Sequence, residues 1–299
     1  TEPHYGTQYS TTEDDAVYAT LSNLPAREGL HLPEPNPFMP KHTTIPNRPQ
    51  KEGITPTKLL SEPGVELYHA TDAEFLRPKV SLRYKIRFAK ENMNLRFKVL
   101  LDTYTTCVNE SLTELAYPAS LAGLDYTFQN GYEGVYFSIN GFDESAATLY
   151  ENVLEHMQHI NITEQTFEAI KDRSIRSLKN FPKQDAWRIT RSLIYETLYA
   201  VSYTPAERLS VVETLTLADI HAFAKTLYAQ GYVEALVYGN LPTHSAILLT
   251  KQMQQKLGLQ PIARDVTFEQ TYLRQEKPEA IQVVTKLEVN NSCFWRQYY

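Results

Sequence analysis

The sequence predicts an α+β fold, an antiparallel sheet with helices packed on one face, preceded by an extended Pro-rich connector. Residues 80–88 alternate the apolar Val80, Leu82, Tyr84, Ile86 and Phe88 with the polar Ser81, Arg83, Lys85 and Arg87, the period of a strand with one core face and one wet face. Such alternation argues against a doubly wound parallel sheet, whose strands are apolar on both sides. Segments then follow one another as strand, paired helices, strands and many helices, a succession that does not read as a βαβ array.

The elements follow in chain order. Residues 1–60 hold nine of the 17 prolines, and proline removes a backbone donor and biases its predecessor toward extended backbone. This stretch therefore reads as a strap, interrupted by a short acidic helix near Glu13-Asp14-Asp15-Ala16-Val17-Tyr18. After the strand at 80–88, a helix is expected over 94–108, with Phe97, Leu100, Leu101, Tyr104 and Val108 on one stripe. Ser111-Leu112-Thr113-Glu114 reads as a capping box opening a second helix, which Gly123 ends as a left-handed residue and Pro118 should kink. Strands at 124–129 and 135–140 are joined through Asn130-Gly131, a hairpin signal.

From 144 to 159 the stripe Ala146, Leu149, Tyr150, Val153, Leu154 and Met157 keeps helical spacing. Helices are expected near 164–180, 184–199, 205–213, 217–229 and 243–257, the third opening with a capping box at Thr204-Pro205-Ala206-Glu207. A short buried strand at 233–238 ends at Gly239-Asn240, and 280–299 returns to strand character. The expected division is a connector over 1–60, an α+β domain over 61–263, and the opening strands of a following domain over 264–299.

A chain of 299 residues, 42% hydrophobic and 21% charged, is too apolar for disorder and long enough for about two domains. Its net charge of -6 offers no field for polyphosphate backbones, so nucleic acid is not an expected partner. No run approaches the roughly 18 apolar residues of a membrane span. Cys107 and Cys293 form no metal-binding or redox motif and suit either a periplasmic or a cytoplasmic setting. The start at Thr1 and the aromatic end Phe294-Trp295-Arg296-Gln297-Tyr298-Tyr299 suggest a piece of a longer polypeptide. Its last strands, parted from their sheet, are expected to favour self-association.

Catalytic signatures are few. Glycine loops for phosphates and a nucleophile elbow are absent. Asn152-Val153-Leu154-Glu155-His156, with His159 one turn on, resembles an H-x-x-E-H zinc helix, but its first position is an amide. Two half-exposed histidines near a helix C-terminus are the reading preferred over a metal site. His4, His31, His42, His69, His221 and His244 are scattered. Lys79, Arg83, Lys85 and Arg87 could form a basic wall facing an acidic or extended ligand, but a solvated strand face is the preferred reading. Tyr126, Tyr132 and Tyr136 could touch a peptide, but cross-strand packing is the preferred reading. No residue is assigned a catalytic or metal-binding role, and substrate contacts remain unassigned.

An ordered series of blocks points further. Tyr5-Gly6-Thr7-Gln8-Tyr9, Leu32-Pro33-Glu34-Pro35-Asn36-Pro37-Phe38-Met39-Pro40 and Asp72-Ala73-Glu74-Phe75-Leu76-Arg77-Pro78-Lys79 resemble the connector and first strands in the middle of the insulinase/pitrilysin metallopeptidases. Ser111-Leu112-Thr113-Glu114-Leu115-Ala116-Tyr117-Pro118-Ala119-Ser120-Leu121-Ala122-Gly123-Leu124, residues 134–142, Glu234-Ala235-Leu236-Val237-Tyr238-Gly239-Asn240 and Asn290-Asn291-Ser292-Cys293 resemble later blocks in the same order.

The resemblance implies the end of the connector, the third of four related domains and the start of the fourth, in a zinc-dependent endopeptidase that encloses peptides. The zinc helix of that family belongs to its first domain. The helix standing in its place here reads Asn94-Leu95-Arg96-Phe97-Lys98-Val99-Leu100-Leu101-Asp102 and supplies no ligand. The implied role is a non-catalytic chamber wall, with peptides and the rest of the polypeptide as partners. The alternatives are a structural or pseudoenzyme relative, like the core subunits of respiratory complexes, or a peptidase for cofactor-precursor processing.

Overall fold

The computed structural model describes residues 1–25, 29, 34–45 and 55–273. Leu32-Pro33, His31, Pro46, Pro49, Cys293 and the expected strands at 280–299 lie outside the described residues. The chain divides into two compact units, Thr1–Pro35 and Asn36–Tyr299. In the first, helix α1 (Asp15–Ser22) is capped by Asp14, whose carboxylate accepts from the Val17 N–H, and none of its residues is buried.

The second unit is the α+β layer. It runs β1 (Thr57–Glu62), β2 (Val65–Ala70), β3 (Lys79–Arg87), α2 (Leu95–Ser111), α3 (Thr113–Leu121), β4 (Asp125–Asn130) and β5 (Gly134–Phe142). Then come α4 (Asp143–Gln158), α5 (Glu164–Lys179), α6 (Ala186–Leu198), α7 (Pro205–Val212), α8 (Leu217–Leu227), β6 (Gln230–Gly239), α9 (Thr243–Lys256) and β7 (Gln260–Pro261). Phe38, from the proline-rich stretch, is fully buried in this unit's core. Phe38 and the first residues of β1 thus pack with the sheet, although both precede the expected boundary at residue 60.

The strand order is β1-β2-β6-β3-β5-β4, with β7 beside β6. Pairing is antiparallel except for β2 with β6 and β6 with β7. The β2–β6 exception follows from topology. Since β2 and β3 run in opposite directions, β6 inserted between them must be parallel to one of them. The hairpin of β1 and β2 was not foreseen. It turns at Gly64, whose φ of 76° suits glycine, and an added Cβ there would lie 2.4 Å from the Pro261 Cβ.

One face of the sheet is the core. Val80, Leu82, Tyr84 and Ile86 of β3 are buried on it, as are Val135, Phe137 and Ile139 of β5 and Val233, Ala235 and Val237 of β6. Tyr84, Phe137 and Tyr150 of α4 form a stack with centroids 5.6 to 5.9 Å apart. In the same core the Tyr104 hydroxyl of α2 lies 3.0 Å from that of Tyr228. The chain holds 20 tyrosines, and buried ones with paired tips account for part of that content.

The Thr204–Glu207 capping box forms as read, and Gly123 takes a φ of 73°. The expected box at Ser111–Glu114 does not. Helix α2 continues through Ser111, whose hydroxyl donates to the Val108 carbonyl at 2.7 Å, and α3 opens at Leu112 without a side-chain cap. The Asn130-Gly131 signal does mark a hairpin, closed by the Gly131 N–H donating to the Gly134 carbonyl at 2.7 Å.

Candidate functional site

The opposite face of the sheet stays polar, and the strand registers define its rows. The middle row runs Tyr68, Leu236, Arg83, Ser138 and Thr127 across β2, β6, β3, β5 and β4. The next row runs Glu66, Glu234, Lys85, Tyr136 and Gln129. On the other side lie Tyr238, Ser81, Asn140 and Asp125. All of these side chains are exposed or half-buried. Between the first two rows lies a shallow groove of about 300 Å³ bounded by Glu66, Tyr68, Arg83, Lys85, Tyr136 and Leu236.

The four basic residues singled out in β3 do not act alike. Arg87 is buried, and its guanidinium bonds Glu234 at 2.7 Å, Glu133 at 3.0 Å and the Phe268 carbonyl at 3.3 Å. Lys85 pairs with Glu133 and lies 3.6 Å from Glu234. Arg264 joins Glu234 at 2.9 Å and Glu269 at 3.3 Å. Three cations thus meet three carboxylates at one end of the face. Burial pushes the Glu133 carboxyl up, but the bonds from Lys85 and Arg87 outweigh this and hold it below the usual range. Lys79 lies 5.2 Å over the Phe142 ring, and Arg83 is exposed with its Nε donating to the Ser81 hydroxyl at 3.3 Å.

The carboxylates were missed in the sequence because the cross-strand register, not local spacing, sets Glu234 opposite Lys85. The three tyrosines also separate. Tyr126 faces the core side, Tyr136 lies beneath Lys85 at 5.4 Å, and Tyr132 packs edge-on against Tyr199 at 5.0 Å.

The residues of α2, the helix expected in the place of a zinc helix, do not fit zinc. Along α2, Lys98 donates to the Gly131 and Tyr132 carbonyls, Asp102 accepts from the Asn130 amide at 3.1 Å, and Asn109 donates to the Phe128 carbonyl at 2.8 Å. This polar row ties the helix to the edge strand β4 and its turn. Burial lowers the Lys98 pKa to about 8, so part of that tie weakens at alkaline pH. Burial also pushes the Cys107 thiol up to about 12, which keeps it from acting as a thiolate.

On α4 the Asn152 amide donates back to the Thr148 carbonyl, and His156 Nδ1 lies 3.1 Å from the Ser111 hydroxyl. Burial lowers the His156 pKa, and His159 stands exposed at the helix end. Among the described residues no three His, Cys, Asp or Glu side chains are grouped as a metal would need. Nor is any helix there long and apolar enough to cross a membrane.

The family described as the middle or third domain of peptidase M16 matches residues 1–211. The chain belongs to the M16 peptidases. Human insulin-degrading enzyme is 28% identical over 320 residues, covering 100% of this chain and 30% of its own length. Human nardilysin is 26% identical over 296 residues, covering 98% of this chain and 25% of its own length. The M16 chain therefore spans less than a third of the length of these curated relatives.

Among solved structures, pitrilysin superposes with a TM-score of 0.69 at 22% identity, over 77% of this chain and 24% of that one. A peptidase M16 inactive domain from Pseudomonas fluorescens gives a TM-score of 0.51 at 14% identity, over 71% of this chain and 53% of that one. These two likenesses bear on fold. The M16 family is zinc-dependent in general, and the ligand set of α2 and α4 does not match that requirement.

Proposed function

We propose that this chain is a non-catalytic wall of a chamber in which a zinc-dependent endopeptidase encloses peptides, the zinc being held by another domain of a longer polypeptide. The observation that carries this reading is the sheet's polar face, left open to a shallow groove while the helices cover the other side. A core-facing sheet surface would be apolar, and a catalytic one would need convergent acid, base or metal ligands. Enclosure excludes large folded proteins by volume and raises the local concentration of a captured peptide.

A sheet can hold a peptide by adding it as a strand or by contacts across its open face. Strand addition needs a free edge. At β4, one of the two edges of the sheet, the Phe128 carbonyl accepts from Asn109 and the carbonyls of the following turn accept from Lys98. Contacts across the open face need no such edge, and the shallow groove lies there.

Metal analysis and a peptide-cleavage assay on the 299-residue chain test the non-catalytic assignment. The expected result is no stoichiometric zinc and no hydrolysis. One tightly held zinc, with cleavage lost on chelation, would overturn it.

A further inference from the structure

Among the cations of the open face, Arg83 has neither the carboxylates that hold Lys85, Arg87 and Arg264 nor the aromatic ring over which Lys79 lies. Lys85, Arg87 and Arg264 share Glu133, Glu234 and Glu269. For Arg83, no carboxylate lies within 4.0 Å among the described residues. Yet its position is specified. It occupies the centre of the middle row, between Leu236 and Ser138. Its Nε donates to the Ser81 hydroxyl at 3.3 Å, and that hydroxyl donates to the Asn140 side-chain oxygen at 2.7 Å. This chain orients the guanidinium from one side, and its two Nη groups have no protein acceptor among the described residues.

A guanidinium with an unfilled fork is complementary to a carboxylate, which can take two parallel N–H bonds. The nearest acidic neighbour in the adjoining row, Glu234, is occupied by Arg87 and Arg264. The groove of about 300 Å³ that Arg83 lines together with Tyr68, Lys85, Tyr136 and Leu236 has space for an incoming side chain. We propose that Arg83 recognises an acidic side chain of a peptide lying across this face, giving the wall a preference for peptides carrying Asp or Glu. This rests on the chamber-wall reading above and adds a substrate class to it.

The test measures binding to the full 299-residue chain by fluorescence anisotropy. It uses two N-acetylated, C-amidated peptides identical except for one central Glu or Gln. The expected preference for Glu is about fivefold, equal to ~1 kcal/mol, since solvent-exposed charge pairs are worth no more. It should shrink as salt rises, disappear in Arg83→Gln, persist in part in Arg83→Lys, and turn toward a Lys-containing peptide in Arg83→Glu.

Equal binding of the two peptides to the unaltered chain would overturn the proposal. So would a preference that survives Arg83→Gln. A Gln peptide with a free C-terminus that binds as well as the amidated Glu peptide would show that the terminal carboxylate is the ligand, and would also overturn it. Ser138→Trp separates the two readings. If it weakens both peptides equally while Glu and Gln remain indistinguishable, the wall stands and Arg83 recognition fails. Absence of binding by either peptide removes both.

Discussion

Replacing Gly239 with alanine is expected to cost about 3 kcal/mol of folding stability. Gly239 ends β6 at a φ of 116°, and an added Cβ would lie 2.3 Å from the Lys79 carbonyl oxygen and 3.0 Å from the Val80 Cα. Both obstacles are backbone, and they belong to β3, which β5 and β6 hold from either side. The same Lys79 carbonyl accepts from the Asn240 N–H at 2.7 Å, so relief by displacement would cost that bond. Gly258 provides the comparison. Its φ of 64° is also left-handed, but nothing stands within 4 Å of an added Cβ. Gly258→Ala should therefore cost only about 1 kcal/mol of backbone strain. Urea unfolding of the two variants separates crowding from conformation. Equal losses would mean that close approach of β3 is not what requires glycine at 239.

Replacing Arg87 with methionine is expected to cost about 2 to 3 kcal/mol near neutral pH, less than for a fully buried pair because the carboxylates keep some hydration. Arg87 is 5% exposed and bridges Glu133 to Glu234. Its removal leaves two partly buried carboxylates with fewer donors. The pH dependence identifies the cause. In the native chain the Glu133 carboxyl is held below its ordinary value of 4.5. Its contribution is therefore complete above that value and is lost as pH falls through the lower folded value. Without Arg87, burial gains on the remaining Lys85 bond and the carboxyl moves up. The acid loss should then begin at higher pH, and Glu133→Gln in the same background should recover part of the stability. Identical acid limbs for the native chain and Arg87→Met would contradict this account.

The fold was legible where one element's own residues decide it. Strand β3 announced itself because its two faces meet different surroundings at every second residue. The start of α7 did so because Thr204 and Glu207 complete a cap within one turn. Strand β1 was not legible, since its register slips between Lys58 and Leu60 and blurs the alternation. Strand β2 takes one partner, β6, from the far end of the chain. Ser111 misled for a different reason. A serine followed by Glu114 marks a helix start only if the preceding helix has already ended, and α2 had not.

The site was legible only in part. The basic residues of β3 were visible. Which cations are neutralised depends on contacts made after folding. Glu234 is brought opposite Lys85 by strand pairing, while Glu133 arrives from the β4–β5 turn. The distinction between Arg87, locked into a structural network, and Arg83, left with an unfilled fork, therefore cannot be read from an alternating pattern that treats them alike.

The most direct test of the proposed wall role is photo-crosslinking in the longer polypeptide proposed to carry this chain, with p-benzoylphenylalanine at Ser138 on the open face or at Leu248 on the exposed side of α9. The account expects a bound peptide to be captured from position 138, with capture abolished by excess unlabelled peptide, and no competed capture from position 248. Competed capture from 248 with none from 138 would place the peptide against the helices and contradict it.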